Sequence, residues 1–216
     1  ADHTLLPHPL ERGSIGDPRV RQKFVDNRSM IRPRLTDHFG LHKAQAELDF
    51  AIPFLSEDIP LYLDPFLLWK SPSLQDKSLH GAIVNAFNHL GYQTRTGKDE
   101  EALTTLILAS ECDEVGLGHS GTRRGTRIGK KSAQAILSLF KKIPQYERNG
   151  FKHFEEIQFY IDGISKDRIS DIACNFLKSF LIDFTIDQCK STGIPTKNVE
   201  LTHLYDHDSQ KFTSKT

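Results

Sequence analysis

The strongest constraint on this chain is an apolar stripe near its C-terminal end. Ile169, Ile172, Ala173, Phe176, Leu177, Phe180, Leu181 and Phe184 keep i, i+3, i+4, i+7 spacing for four turns. That periodicity predicts a long amphipathic helix over about 167–191, closed by Gly193 and Pro195. A stripe of this width must be covered by other elements, so the chain needs further helices with matching faces. They are present. Residues 73–90 place Leu79, Ile83, Phe87 and Leu90 on one face, with Ser73 as the cap and Gly91 as the stop. Residues 99–110 open with Asp99, Glu100 and Glu101, where the helix dipole favours acids. A further helix is expected from a Ser132 cap to Pro144.

Extended segments are fewer. Residues 50–64, FAIPFLSEDIPLYLD, read as two short strands whose prolines demote them to edge or irregular strands. In EEIQFYIDG, Ile157, Phe159 and Ile161 alternate with Gln158, Tyr160 and Asp162, which predicts a strand. VELTHLY, residues 199–205, offers one more before a polar end. The order is mixed rather than alternating, so the fold class is α+β, or irregular α/β: a helix-rich domain with a small mixed sheet. Residues 1–29, which precede Met30, show neither helical nor strand period and read as an N-terminal extension outside the fold. Residues 30–197 then form a single globular domain, and residues 198–216 a C-terminal strand and polar tail.

Composition narrows the function classes. Lys+Arg equals Asp+Glu at 28 each, so any polyanion binding must come from a local patch. Three cysteines, Cys112, Cys174 and Cys189, have neither CxxC nor Cys/His spacing, which points away from a disulfide frame or zinc knuckle and towards the reducing cytoplasm. No run approaches the roughly 18 apolar residues of a membrane span.

Two constellations carry chemistry. Residues 59–64 (IPLYLD) and 157–162 (IQFYID) share the pattern Ile-x-apolar-Tyr-apolar-Asp. If these strands lie side by side, Asp64 and Asp162 meet at one sheet edge, where two carboxylates suit Mg²⁺ and Lys70 or Lys166 suits a phosphate. The same aspartates, placed before Pro65 and Gly163, also fit ordinary turns. The second constellation is ECDEVGLGHSGTRRGTRIGKK, residues 111–131. Its glycines admit backbone N–H groups to an anion, and Arg123, Arg124, Arg127 and Lys130 offer cations for phosphate. Glu111 and Glu114 stand beside them as further ligands for Mg²⁺. The spacing is not that of a Walker loop, since Lys131 is an extra residue before Ser132 and Gly125 is one position too close. A solvated connection between two helices fits the composition as well.

The runs DIPLYLDPFLLWKS, ECDEVGLG and IDGISKDRISDI resemble stretches of uncharacterised bacterial proteins associated with phage-defence or restriction-type loci, over roughly residues 48–190. The resemblance implies a bacterial cytoplasmic setting and nucleic-acid processing. A restriction-type PD-(D/E)xK core is not matched, because no (D/E)xK follows Asp64 at short distance. The expected function is therefore a Mg²⁺-dependent phosphodiester hydrolase acting on DNA or RNA in a bacterial defence setting. Asp64, Asp162, Glu111 and Glu114 are its metal ligands, and Asp64, Asp162, Lys70 and Lys166 its catalytic set. The alternative is a non-catalytic nucleic-acid- or nucleotide-binding subunit of a defence complex, with a protein partner.

Overall fold

The computed structural model describes residues 32–59, 61–112, 115, 117–118 and 128–215. The expected extension 1–29 lies outside the described residues, as do Glu114, Arg123, Arg124 and Arg127. The architecture is helix-rich α+β. In chain order the elements are α1 (Leu35–His38), a single 3₁₀ turn (Gln45–Glu47), β1 (Asp58–Ile59), α2 (Pro65–Lys70), α3 (Leu74–Arg95), α4 (Asp99–Ala109), β2 (Leu117–Gly118), α5 (Lys130–Lys142), α6 (Pro144–Asn149), a 3₁₀ helix (Phe154–Phe159), α7 (Lys166–Phe176), α8 (Lys178–Thr192), β3 (Leu201–Asp206) and β4 (Lys211–Lys215). The strands form two antiparallel ribbons, β1–β2 and β3–β4.

α3 is the axis of the core. Ser73 caps it as its sequence predicts, accepting a hydrogen bond from Asp76 N. Ile83, Ala86, Phe87 and Leu90 are fully buried, against Leu106 of α4, Ile136 and Phe140 of α5, and Ile172 and Phe176 of α7. Around Phe87 an aromatic knot forms. Its ring centroid lies 5.7 Å from Phe140, 5.5 Å from Phe151 and 5.1 Å from Phe154, in the tilted and edge-on geometries that ring quadrupoles favour.

Several expectations are corrected here. Gly91 does not stop α3, which runs on to Arg95. Its role is steric: a Cβ at Gly91 would sit 2.3 Å from the Phe140 ring, so only glycine lets α5 approach this closely. The stripe expected to form one helix over 167–191 is broken at Leu177, where φ/ψ of −101°/6° separate α7 from α8. Ile169, Ile172, Ala173, Phe176 and Leu177 are buried, whereas Phe180, Leu181 and Phe184 are only half-buried, because the core ends at the break. Gly193 does close the helix, in the left-handed region at φ 72°.

The strand expected at 157–162 is absent. Phe154 and Ile157 are fully buried three residues apart, the 3₁₀ repeat, while Phe159 is 78% exposed. Period three imitated period two over this short run. In residues 50–64 the ladder shrinks to Asp58–Ile59 and one isolated bridge at Phe54. α5 starts at Lys130 rather than at a Ser132 cap, and Pro144 opens α6 at its first turn. The C-terminal strand is present and pairs with a second one, Lys211–Lys215. This ribbon docks on α7: Tyr205 is buried, its ring 4.8 Å from Phe176, and a ring nitrogen of His207 lies 2.7 Å from the Phe176 carbonyl.

Replacing Gly91 by alanine should cost about 3 kcal/mol in overpacking, the upper end of the usual range, because the added Cβ meets three ring atoms of Phe140. Alanine gains roughly 1 kcal/mol over glycine in a helix interior, so the net loss of unfolding stability should be about 2 kcal/mol. Urea unfolding followed by circular dichroism checks it, and an equally stable or stabilised variant would contradict the close approach.

Candidate metal centre

His80 lies on α3 seven residues before Phe87, so the helical repeat puts it on the same face, two turns up the axis. It is 8% exposed. The chain that comes back to meet it is held by Asn88. The Asn88 amide donates to the Phe151 carbonyl at 2.9 Å and accepts from Phe151 N at 2.8 Å. Gly150, at φ 68°, makes this approach possible, since a Cβ there would lie 2.6 Å from the Asn88 side chain. With Phe151 and Phe154 turned into the core, His153 and Glu155 are delivered beside His80.

These three side chains each present a ligand atom within 4.8 Å of the others. His153 Nδ1 stands 3.4 Å from Glu155 Oε1, and the Glu155 side chain is 12% exposed. His80 Nε2, His153 Nδ1 and both Glu155 oxygens are buried without a hydrogen-bond partner among the described residues. Leaving such groups unsatisfied costs about 1–3 kcal/mol each, more for a charged one. The His153 ring is held in place by aromatic neighbours, with centroids 4.9 Å from Trp69, 5.7 Å from Phe66 and 5.4 Å from His80.

Electrostatics favour the same use. Burial, followed by the neighbouring His153, pushes the His80 pKa below its ordinary value and keeps the imidazole neutral. Burial raises the Glu155 pKa, opposed by the dipole of its own backbone N–H and by His153 and assisted by Asp64 and Glu156. Two imidazoles and one carboxylate are a common donor set for Zn²⁺. Ligands bound at about 2.0–2.1 Å in a tetrahedron stand roughly 3.4 Å apart. The His153–Glu155 pair already has that spacing.

His153 and Glu155 form part of the wall of a pocket of about 750 Å³, a volume ordinary for a small-ligand site. Asp64, Glu156 and Lys166 line it too. Asp64 caps α2 by accepting from Phe66 N at 2.9 Å, and Leu63 N donates to Ser170 Oγ on α7 at 2.8 Å. Lys166 is the first residue of α7, its Nζ 4.7 Å from the centre of the Tyr62 ring. The Tyr146 hydroxyl lies 3.1 Å from the Tyr160 hydroxyl and donates to Glu156 Oε2 at 2.8 Å, and burial, then the contacts with Tyr160 and Glu156, push its phenol far above the ordinary range.

Of the residues expected from sequence, Asp64 and Lys166 share this pocket. Lys70 sits at the end of α2 with Nζ 5.0 Å from the centre of the Phe66 ring. Asp162 does not pair with Asp64 across parallel strands, because neither residue is in a strand; it is exposed in the turn before α7 and is not among the lining residues. Glu111 follows α4, and its carbonyl accepts from the buried Asn175 side chain at 2.8 Å. Lys130 opens α5 and is exposed. Glu114, Arg123, Arg124 and Arg127 lie outside the described residues. Of the glycine-rich segment, Leu117 and Gly118 are described, and they pair with Ile59 and Asp58. His80, His153 and Glu155 escaped sequence reasoning. The signals available were a histidine on an apolar helical face and the spacing His153-x-Glu155.

Residues 40–216 match a family model described as Domain of unknown function (DUF8370). No curated protein and no solved structure matches the chain.

Titrating the protein with Zn²⁺ should show one bound ion and a raised melting temperature. His80→Ala and Glu155→Gln should each remove both effects in calorimetry. Asn88→Ala, which touches no ligand, should weaken binding about 10–100-fold, as loss of a supporting hydrogen bond does. The pH dependence follows from the shifts. Glu155, with a raised folded pKa, loses stability as pH climbs above the ordinary carboxylate range, and an ion relieves that loss. Zn²⁺ stabilisation should therefore grow with pH and fade on acidification, where Glu155 keeps its proton. A pH-independent shift in melting temperature would contradict this ligand set.

Proposed function

The chain belongs to the DUF8370 family, and we propose that it is a divalent-metal-dependent phosphodiester hydrolase, a nuclease. One observation carries this reading. Three side chains whose buried ligand atoms have no hydrogen-bond partner among the described residues come together, and two of them, His153 and Glu155, line a pocket that also holds two further carboxylates and an ammonium. In this reading His80, His153 and Glu155 hold the ion. An ion there supplies Lewis acidity towards a phosphoryl oxygen and acidifies a bound water. Asp64, whose second oxygen is not used by the α2 cap, takes the proton from the attacking water. Lys166 neutralises charge developing on the phosphate. Arg123, Arg124, Arg127 and Lys130 are the cations proposed to grip the flanking backbone, on the strength of their guanidinium and ammonium chemistry.

The imidazole donors move the preference from Mg²⁺ towards Zn²⁺ or Mn²⁺ at this position. Oxygen donors at Asp64 and Glu156 suit Mg²⁺ as a second ion. The cytoplasmic, bacterial defence setting is part of the proposal and is what the sequence resemblance implies. No helix among the described residues is long and apolar enough to cross a membrane.

The test is degradation of labelled DNA and RNA by purified protein with Mn²⁺, Zn²⁺ or Mg²⁺. Cleavage should require an ion. Glu155→Gln should lower the rate by at least about 100-fold, the scale of losing a principal group. Asp64→Asn should also impair it, while Asp162→Ala should cleave like the parent. Undiminished cleavage in excess chelator would overturn the proposal. Tight nucleic-acid binding without cleavage under any ion would favour the regulatory-subunit reading.

A further inference from the structure

The metal pocket is rimmed by rings that the fold leaves uncovered. Tyr62, Phe66, Trp69 and Phe159 are all exposed, Phe159 most of all, beside a fully buried Ile157. Three of them, Tyr62, Phe66 and Phe159, line the pocket itself. Core packing does not account for a phenyl ring held in water on a structured 3₁₀ turn.

Two features separate this rim from a plain apolar patch. Each of two rings carries an ammonium on one face: Lys166 over Tyr62 and Lys70 over Phe66. The ring series is also continuous with the candidate metal ligands, running from His153 to Trp69 at 4.9 Å and from Trp69 to Phe66 at 5.4 Å. Aromatic faces interleaved with ammonium groups match a chain that alternates planar bases with phosphates. A duplex does not fit the same rim, because its base faces are already stacked on one another. A ring reaches them only in an unpaired strand or an extruded nucleotide.

We infer that the pocket selects single-stranded nucleic acid, stacking an unpaired base on Phe159 and Tyr62 while Lys166 and Lys70 hold the adjoining phosphates. This rests on the hydrolase reading for the position of the scissile bond, but the binding itself needs no turnover. Stacking accepts every base, so the preference is for strandedness rather than sequence.

Fluorescence anisotropy with a labelled oligonucleotide in chelator, where no cleavage occurs, tests it. The single strand should bind at least tenfold tighter than the same sequence as a duplex. Phe159→Leu keeps the apolar character but removes the stacking face. It should weaken single-strand binding about 5- to 150-fold, the range seen when a base-stacking ring is removed. Phe159→Trp should restore it. Equal affinity for duplex, no binding of either probe, or wild-type binding by Phe159→Leu would each overturn the inference, the last pointing to an apolar protein segment instead. Failure of cleavage with intact single-strand preference would sink the hydrolase reading alone. Zn²⁺ binding by Phe159→Leu should match the parent, which separates loss of stacking from loss of the fold.

Discussion

The paired hydrogen bonds between the Asn88 amide and the backbone of Phe151 hold together two parts of the chain on which everything else depends. Phe151 is almost completely buried, so its N–H and C=O have no access to water. Left unpaired, each would cost about 1–3 kcal/mol. One side chain satisfies both, and it does so from the central helix. The contact fixes the depth of the 150s segment against α3 and so the placement of Phe151 and Phe154 in the aromatic knot. Once those rings point inward, the residues between and after them, His153 and Glu155, point towards His80. Core and site are thus two faces of the same short segment.

That dependence explains what was legible in the sequence. Helices α3, α4, α7 and α8 announce themselves by periodic apolar faces and by end signals such as Ser73 for α3, Asp99 for α4 and Gly193 for α8, all local properties. Asp64 and Lys166 were legible for a related reason: they sit at the ends of elements, where caps and turns concentrate polar residues. The break at Leu177 was not. No glycine or proline marks it, and the stripe continues past it into half-buried Phe180 and Phe184. The 3₁₀ helix was mistaken for a strand because Ile157, Phe159 and Ile161 imitate alternation. His80 and His153 had no signature, since nothing local in the sequence connects them. Their proximity is created by the Asn88 contact, a tertiary pairing with no periodicity to betray it.

The chain also keeps features that a fold selected only for stability would not. An apolar residue at Glu155 or His80 would avoid burying polar atoms without partners, and a small polar residue at Phe159 would avoid a solvated phenyl. Local rules broken together in one small region are the usual mark of a site maintained against stability. Gly91, by contrast, is unusual for a helix interior yet fully explained by the Phe140 ring beside it. The two kinds of irregularity are told apart by whether the neighbouring atoms satisfy them.

Charge supplies the last constraint. Over the whole chain cations and anions cancel, so no long-range field draws a polyanion in. In the pocket the formal balance is worse than neutral, with Asp64, Glu155 and Glu156 against Lys166. A phosphodiester approaching such a wall is repelled unless protons or cations offset the carboxylates. Two imidazole donors, which bring no negative charge, then matter as much as the acids: they let a divalent ion bind while spending few negative charges on it, so the ion leaves the wall nearer to neutral. On the proposed reading, metal loading precedes productive capture of the phosphate. The exposed rings, whose attraction for bases depends little on charge, hold a strand close while the electrostatics still oppose it.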